Sequence, residues 1–190
     1  LTVFYLAAKL LTFPGVFLKA FWEHCTLRLL RIPVEDTSFL QANELFGHIE
    51  HDLITGLRKN ALFCFLPGLI NAAFSAPLLF TSSVNLFYFG TGARDAATGL
   101  TSIMFFVYII MFWVGVSLLC NTFPLFEDAL QLKDKLFSEK TGTAAKVFLS
   151  VPSAIVLVGS FLERYGINVL LAGAFTAALI SYSVFTAAII

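Results

Sequence analysis

Charge is what this chain has least of. Asp, Glu, Lys and Arg make up 13% of its 190 residues, about half of the roughly 25% found in soluble domains, which excludes an ordinary water-soluble fold with a charged shell. The few charges also cancel, twelve basic against twelve acidic. That removes the basic surface on which nucleic-acid binding depends. Cysteine is scarce: Cys25, Cys64 and Cys120 are far apart, odd in number and form no CxxC, so all three are expected to be buried thiols acting as small apolar residues. Three histidines are too few for the boxes of a membrane di-iron desaturase, and they fall at helix ends rather than on the facing spans that a bis-histidine haem needs. No glycine-rich phosphate loop follows a strand. Ser153 and Ser160 have no histidine nearby in sequence, which argues against an intramembrane serine dyad. The first residue is Leu1 rather than Met, as expected of a piece of a longer protein, so no signal peptide is read from it. There is no internal repeat and no low-complexity tract.

What is present is apolar: 58% hydrophobic residues, 22 of them Phe, with a mean hydropathy of +0.87. A membrane span needs about 20 mostly apolar residues, and the runs 60–93, 96–126 and 165–190 carry no charge at all. Adding the shorter run 147–162 and the stretch 1–22, apolar but for Lys9 and Lys19, gives five hydrophobic segments, near 1–22, 61–80, 100–120, 147–162 and 167–189. The expected fold is all-α, a polytopic integral membrane bundle of one domain with two polar loops, 23–60 and 121–146. Lys9 and Lys19 are expected to snorkel to the headgroups. Pro14-Gly15 either kinks the first span or turns it back as a re-entrant segment. Arg28, Arg31, Arg58 and Lys59 in one polar loop and Lys133, Lys135, Lys140 and Lys146 in the other stand against only Arg94 and Arg164 in the opposite loops. Positive charge therefore puts both polar loops on the cytoplasmic or equivalent face.

The first polar loop should itself be structured. A helix over 16–32 is stopped by Pro33, and Glu35 to Ser38 offers an N-cap, with Ser38 and Gln41 as a capping box. Beyond it Phe46, Ile49, Leu53 and Leu57 fall on one helical stripe and Glu44, His48, His51 and Thr55 on another, which predicts an amphipathic helix, whole or broken at Gly47. In the second span Pro67 and Pro77 predict a kink, and Asn71 should face protein. A charged helix follows Asn121 to Asp128 and ends near Thr141-Gly142. The last segment carries small residues at four-residue spacing, Gly173/Ala177/Ser181 and Ala174/Ala178, a pattern that lets helices approach closely, within the chain or against a partner.

One constellation has the chemistry of a metal site. His48 and His51, three apart on a helix, put two imidazoles on one face, and His24 and Asp128 at the same membrane boundary complete a four-ligand set for zinc or iron. The competing reading makes these histidines polar-face residues or hydrogen-bond partners. Lys19 and Glu23, four apart, suit a simple ion pair.

In order and spacing, the patches Phe13-Pro14-Gly15, Gly47-His48-Ile49-Glu50-His51, Pro67 with Asn71, and Asn121-Thr122-Phe123-Pro124 to Asp128 resemble those of the site-2-protease-like membrane metalloproteases, over about residues 10–135. The resemblance implies a helical membrane framework, a zinc ion and a third ligand at Asp128. Where it would place the HExxH motif, this chain reads Lys19-Ala20-Phe21-Trp22-Glu23. The catalytic glutamate and both zinc histidines are replaced, so the usual zinc-water hydrolysis has no general base. The expected function is therefore non-catalytic: a scaffold or accessory subunit in the lipid bilayer, packed against other membrane proteins or self-associating through the last helix. The alternatives are a metal-dependent intramembrane peptidase with an altered His/Asp site, or a transporter component.

Overall fold

Two imino acids and a glycine decide how the chain enters the bundle. In the computed structural model, which describes residues 2–35, 47–88, 101–138 and 141–187, helix α1 (Thr2–Leu11) gives way at Thr12 to α2 (Phe13–Leu30), with Pro14 in the first turn of α2, where its missing N–H costs nothing. Tyr5 and Val16 pack in one small cluster. In a continuous helix they would be about 16 Å apart along the axis, so the chain bends back at Thr12. Helix α2 ends on Arg31 in the left-handed region (φ 56°), whose N–H and that of Ile32 return to Arg28 and Leu27 carbonyls. Pro33 prevents continuation.

The remaining helices are α3 (Leu57–Ser83), prolonged by a π-helical turn (Val84–Tyr88), then α4 (Thr101–Cys120), α5 (Phe126–Phe137), α6 (Thr143–Arg164) and α7 (Asn168–Ala187). The described residues are all-helical with no strand beyond one isolated bridge, Val34 with His51. Three helical stretches are long and apolar enough to cross a membrane, Leu57–Phe87, Ile103–Cys120 and Thr143–Arg164, and the apolar Asn168–Tyr182 is shorter. They show lipid-type surfaces: Phe106 and Ile110 on α4, Phe148 and Ile155 on α6, and Leu170 and Phe175 on α7 are exposed.

Glycines set the helix spacing. A Cβ on Gly68 of α3 would stand 1.9 Å from the Thr122 carbonyl oxygen, and one on Gly15 of α2 would stand 2.1 Å from that of Ser117. Backbones therefore touch where α2, α3 and the end of α4 meet. Gly159 of α6 likewise leaves the notch filled by the Phe123 ring.

Three expectations are corrected here. The segment 47–56 is not an amphipathic helix: it is extended, with Glu35 N–H donating to the Glu50 carbonyl and Asp52 N–H to that of Pro33. Gly47 (φ 86°) and Gly56 (φ 93°) bound it in conformations that break a helix. Consequently Leu53 of the predicted apolar stripe is 80% exposed while Ile54 is 1% exposed. Arg164 does not face away from loop 121–146: its Nη1 is 3.6 Å from Glu127 Oε1 at the start of α5, because α5 and α6 pack against each other with Phe123 seated at Gly159. Cys25 is exposed, whereas Cys64 and Cys120 are buried. The cap at 36–38, Gln41, Glu44, Phe46, Arg94 and Lys140 lie outside the described residues.

Other features match. Asn71 is fully buried and its Nδ2 donates to the Asn121 carbonyl at 2.7 Å. Pro67 and Pro77 lie within α3. The small residues Gly173, Ala174, Ala177, Ala178 and Ser181 point outward, while Ala172 and Thr176 face the bundle. The stripe therefore does not pack within the chain.

Candidate functional site

The bend at Thr12 and the close approach at Gly15 bring two lysines into the interior. Lys9 (4% exposed) and Lys19 (1%) do not snorkel. Both reach Glu163, near the end of α6 and 5% exposed. Lys9 Nζ lies 2.5 Å and Lys19 Nζ 3.4 Å from Glu163 Oε1. Neither ammonium reaches the surface, because both are enclosed by the bundle beside a ready acceptor, Glu163.

The network then closes around both carboxylates. Lys19 Nζ is also 3.8 Å from Glu23 Oε1, the expected ion pair, although at 2% exposure Glu23 is as deeply buried as its partner. His48 Nδ1 meets Glu23 Oε1 at 3.3 Å, and Ile49 N–H donates to Glu23 Oε2 at 3.2 Å. On Glu163 the second oxygen accepts from Phe123 N–H (3.3 Å) and Asn168 Nδ2 (3.2 Å). Lys9 also donates to Asn121 Oδ1 at 2.8 Å, and Asn121 Nδ2 to Thr12 Oγ1 and the Ser117 carbonyl. Ser117 Oγ accepts from Gly15 N–H and donates to the Thr12 carbonyl. Two ammonium groups thus balance two carboxylates, each carboxylate oxygen has a donor or cation beside it, and a buried pair completed this way avoids most of the desolvation penalty. Burial, and after it the cations of Lys19 and Lys9, hold the His48 imidazole well below its ordinary pKa, so it adds no positive charge at pH 7, while burial, opposed by Lys19, pushes Glu23 up to about 7.

Of the four expected ligands, only His51 and Asp128 come together. His48 is tied to Glu23. His51 faces Asp128, Nε2 to Oδ1 3.5 Å, and packs edge-on against the Phe63 ring. His24 lies on the half-exposed side of α2, with its Nε2 accepting from Arg28 Nε at 3.2 Å. Among the described residues no three of His, Cys, Asp and Glu gather into a group able to hold a metal ion. The i, i+3 argument for His48 and His51 presumed a helix, and in the extended chain the two rings engage carboxylates on different helices. Asp128 does sit in the first turn of α5 beside Glu127, where the helix dipole favours negative charge.

Compared with protein-family models, with curated proteins and with solved structures, the chain matches none. The site therefore rests on its own chemistry. Sequence reasoning missed Glu163 and the inward turn of Lys9. A signal existed: an ionisable group beside an apolar run is costly and needs a partner, and Lys9 had none within its own segment.

The His51–Asp128 pair gives a pH dependence of defined sign. Burial alone would lower His51, but the hydrogen bond and charge of Asp128, with the Asp52 carbonyl, raise its pKa above the ordinary value. A raised histidine pKa contributes stability that is present below about pH 6.5 and lost as pH rises through the folded-state value. Asp128→Asn should bring the His51 titration, followed by ring-proton chemical shifts, down towards its ordinary midpoint. An unmoved midpoint would show that Asp128 does not hold the charged ring.

Proposed function

We propose that this chain is a non-catalytic multi-spanning membrane protein, a scaffold or accessory subunit of a membrane complex built on a degenerate metalloprotease-like framework. The observation that carries the reading is the closed charge network at Lys19 and Glu23. These are the positions where the resemblance puts the two zinc histidines. Here they form a buried ion pair completed by Glu163, Lys9 and His48. A lysine ammonium standing where a metal ligand would be needed supplies positive charge to the carboxylates without a metal. It offers no lone pair for coordination while protonated. The general base of metal-assisted hydrolysis has no counterpart at Ala20.

The apolar α3, α4 and α6 support an integral membrane protein, with α7 and the α1–α2 pair making about five membrane-associated segments. The outward small-residue face of α7 supports a role in packing against other subunits or a second copy. The lysines and arginines of polar loops 23–60 and 121–146 support a cytoplasmic or equivalent side for both, with Arg164, which meets Glu127, no longer counted against them.

Purification in mild detergent, with size analysis and elemental analysis of the same peak, tests the proposal. The expected result is a complex larger than the monomer with zinc and iron well below stoichiometric. A strictly monomeric protein holding about one tightly bound zinc or iron per chain, lost in His48→Ala/His51→Ala but kept in Lys19→Ala, would establish the metalloenzyme alternative instead.

A further inference from the structure

We propose that α1 and α2 form a docked hairpin rather than a membrane span, locked into the bundle by the charges of Lys9 and Lys19 on Glu163. The lock is what keeps the hairpin seated. The proposal rests on the membrane reading of α3, α4 and α6 given above.

Charge and geometry both separate α2 from a span. Its 18 residues carry Lys19, Glu23 and Arg28, and it is not among the described stretches long and apolar enough to cross. The turn at Thr12 rests against the last two turns of α4: Trp113 Nε1 donates to the Leu11 carbonyl at 2.9 Å, and Ser117 Oγ to that of Thr12. Leu10 and Leu11 at this turn are exposed, as the tip of a shallow insertion is. From there α2 turns back along α3, and its Ala20 and Leu27 share a core with Phe63, Ile49 and Leu132.

The contacts at the turn are mainly to backbone groups, whereas the charged contacts reach across the whole chain. Lys9 and Lys19 lie 154 and 144 residues from Glu163. Glu163 is the group on α6 that both cations of the hairpin address, and its other oxygen is held by Phe123 and Asn168 of neighbouring elements. Neutralising it strands two buried ammonium groups with one remaining carboxylate, Glu23. The hairpin can relieve that imbalance by lifting out to water, because it carries both lysines with it.

The test measures maleimide labelling of an Ala20→Cys thiol in the full chain, in a Cys25→Ser background because Cys25 is exposed. Wild-type protein is first extracted with alkali; release from the membrane overturns the membrane reading and this proposal with it. In retained protein the Ala20→Cys thiol should react slowly, and Glu163→Gln should speed it about 100-fold, the effect of leaving buried charge unpaired. Lys9→Met/Glu163→Gln, which removes one cation with the carboxylate and leaves Lys19 paired with Glu23, should return the rate to within about threefold of the parent. Arg164→Gln, which breaks only an exposed pair, should leave it unchanged. A parental rate in Glu163→Gln overturns the lock, as does a double variant labelled as fast as the single one or an Arg164→Gln effect of equal size. Cys64 and Cys120, buried in α3 and α4, report the rest of the bundle in the same sample. Their reacting alongside the Ala20→Cys thiol would mean global opening, and would overturn a local hairpin.

Discussion

Lys19→Met is expected to destabilise the protein by about 3–5 kcal/mol, the cost of removing one partner from a buried ion pair. The substitution keeps most of the side-chain volume, so little of the loss comes from a cavity. It leaves Glu163 with Lys9, but Glu23 keeps only neutral His48 and the Ile49 N–H, at 2% exposure. A carboxylate so placed must either stay charged without a cation or take up a proton. Lys19→Met/Glu23→Gln removes both charges and retains an acceptor oxygen for Ile49. It should recover at least about half of the loss, so the double-mutant cycle shows a coupling of roughly 1.5 kcal/mol or more. Denaturation midpoints in mixed micelles measure both. If Lys19 snorkelled, as its position in an apolar segment suggests, Lys19→Met would leave the midpoint unchanged. That outcome would remove the charge network from any functional account.

The second large effect concerns backbone contact. Gly68→Ala should cost about 3 kcal/mol, the upper part of the range for overpacking, because the new methyl group would fall 1.9 Å from the Thr122 carbonyl oxygen. Backbone cannot yield as the tip of a side chain can. Helix α3 would have to withdraw from the 121–124 turn, which loosens the 2.7 Å bond from Asn71 to the Asn121 carbonyl and, through Asn121, the Lys9 contact. Gly173→Ala is the matched control: nothing lies within 4 Å of its Cβ position, so the better helix propensity of alanine should stabilise the chain by up to about 1 kcal/mol. Equal effects at the two positions would mean that helix propensity alone governs both glycines.

Some of the site was legible in sequence because its causes are local. Lys19 and Glu23 are one helical turn apart, so their pairing follows from the pitch. Asn71 in an apolar helix had to face protein, and it does. The break at Pro14-Gly15 and the stop of α2 before Pro33 follow from proline's fixed φ and missing N–H, although α2 starts at Phe13, ahead of the expected 16. His48 and His51 show the opposite case. The residues between them fit a helical stripe, but positive-φ glycines at 47 and 56 and pairing with 33–35 make the segment extended. That moved Ile54 inward, Leu53 outward and the two rings onto separate carboxylates. Glu163 was hidden for a different reason: beside Arg164, at the end of an apolar run, it looked like an ordinary loop charge.

The sequence by itself determined the all-helical, bilayer-compatible character of this protein, because scarcity of charge and long apolar runs act wherever the chain goes. It also determined the stop of α2 before Pro33, through a residue that acts on its own backbone. Only the tertiary structure decided that Lys9, Lys19 and Glu163 meet, that α6 returns to the start of α5, and that of the candidate ligands only His51 and Asp128 meet while His48 turns to Glu23. The lysine contacts join residues more than a hundred positions apart, the others join separate elements, and all rely on close approach at Gly15, Gly68 and Gly159, where the space left by a missing side chain is filled by another part of the chain.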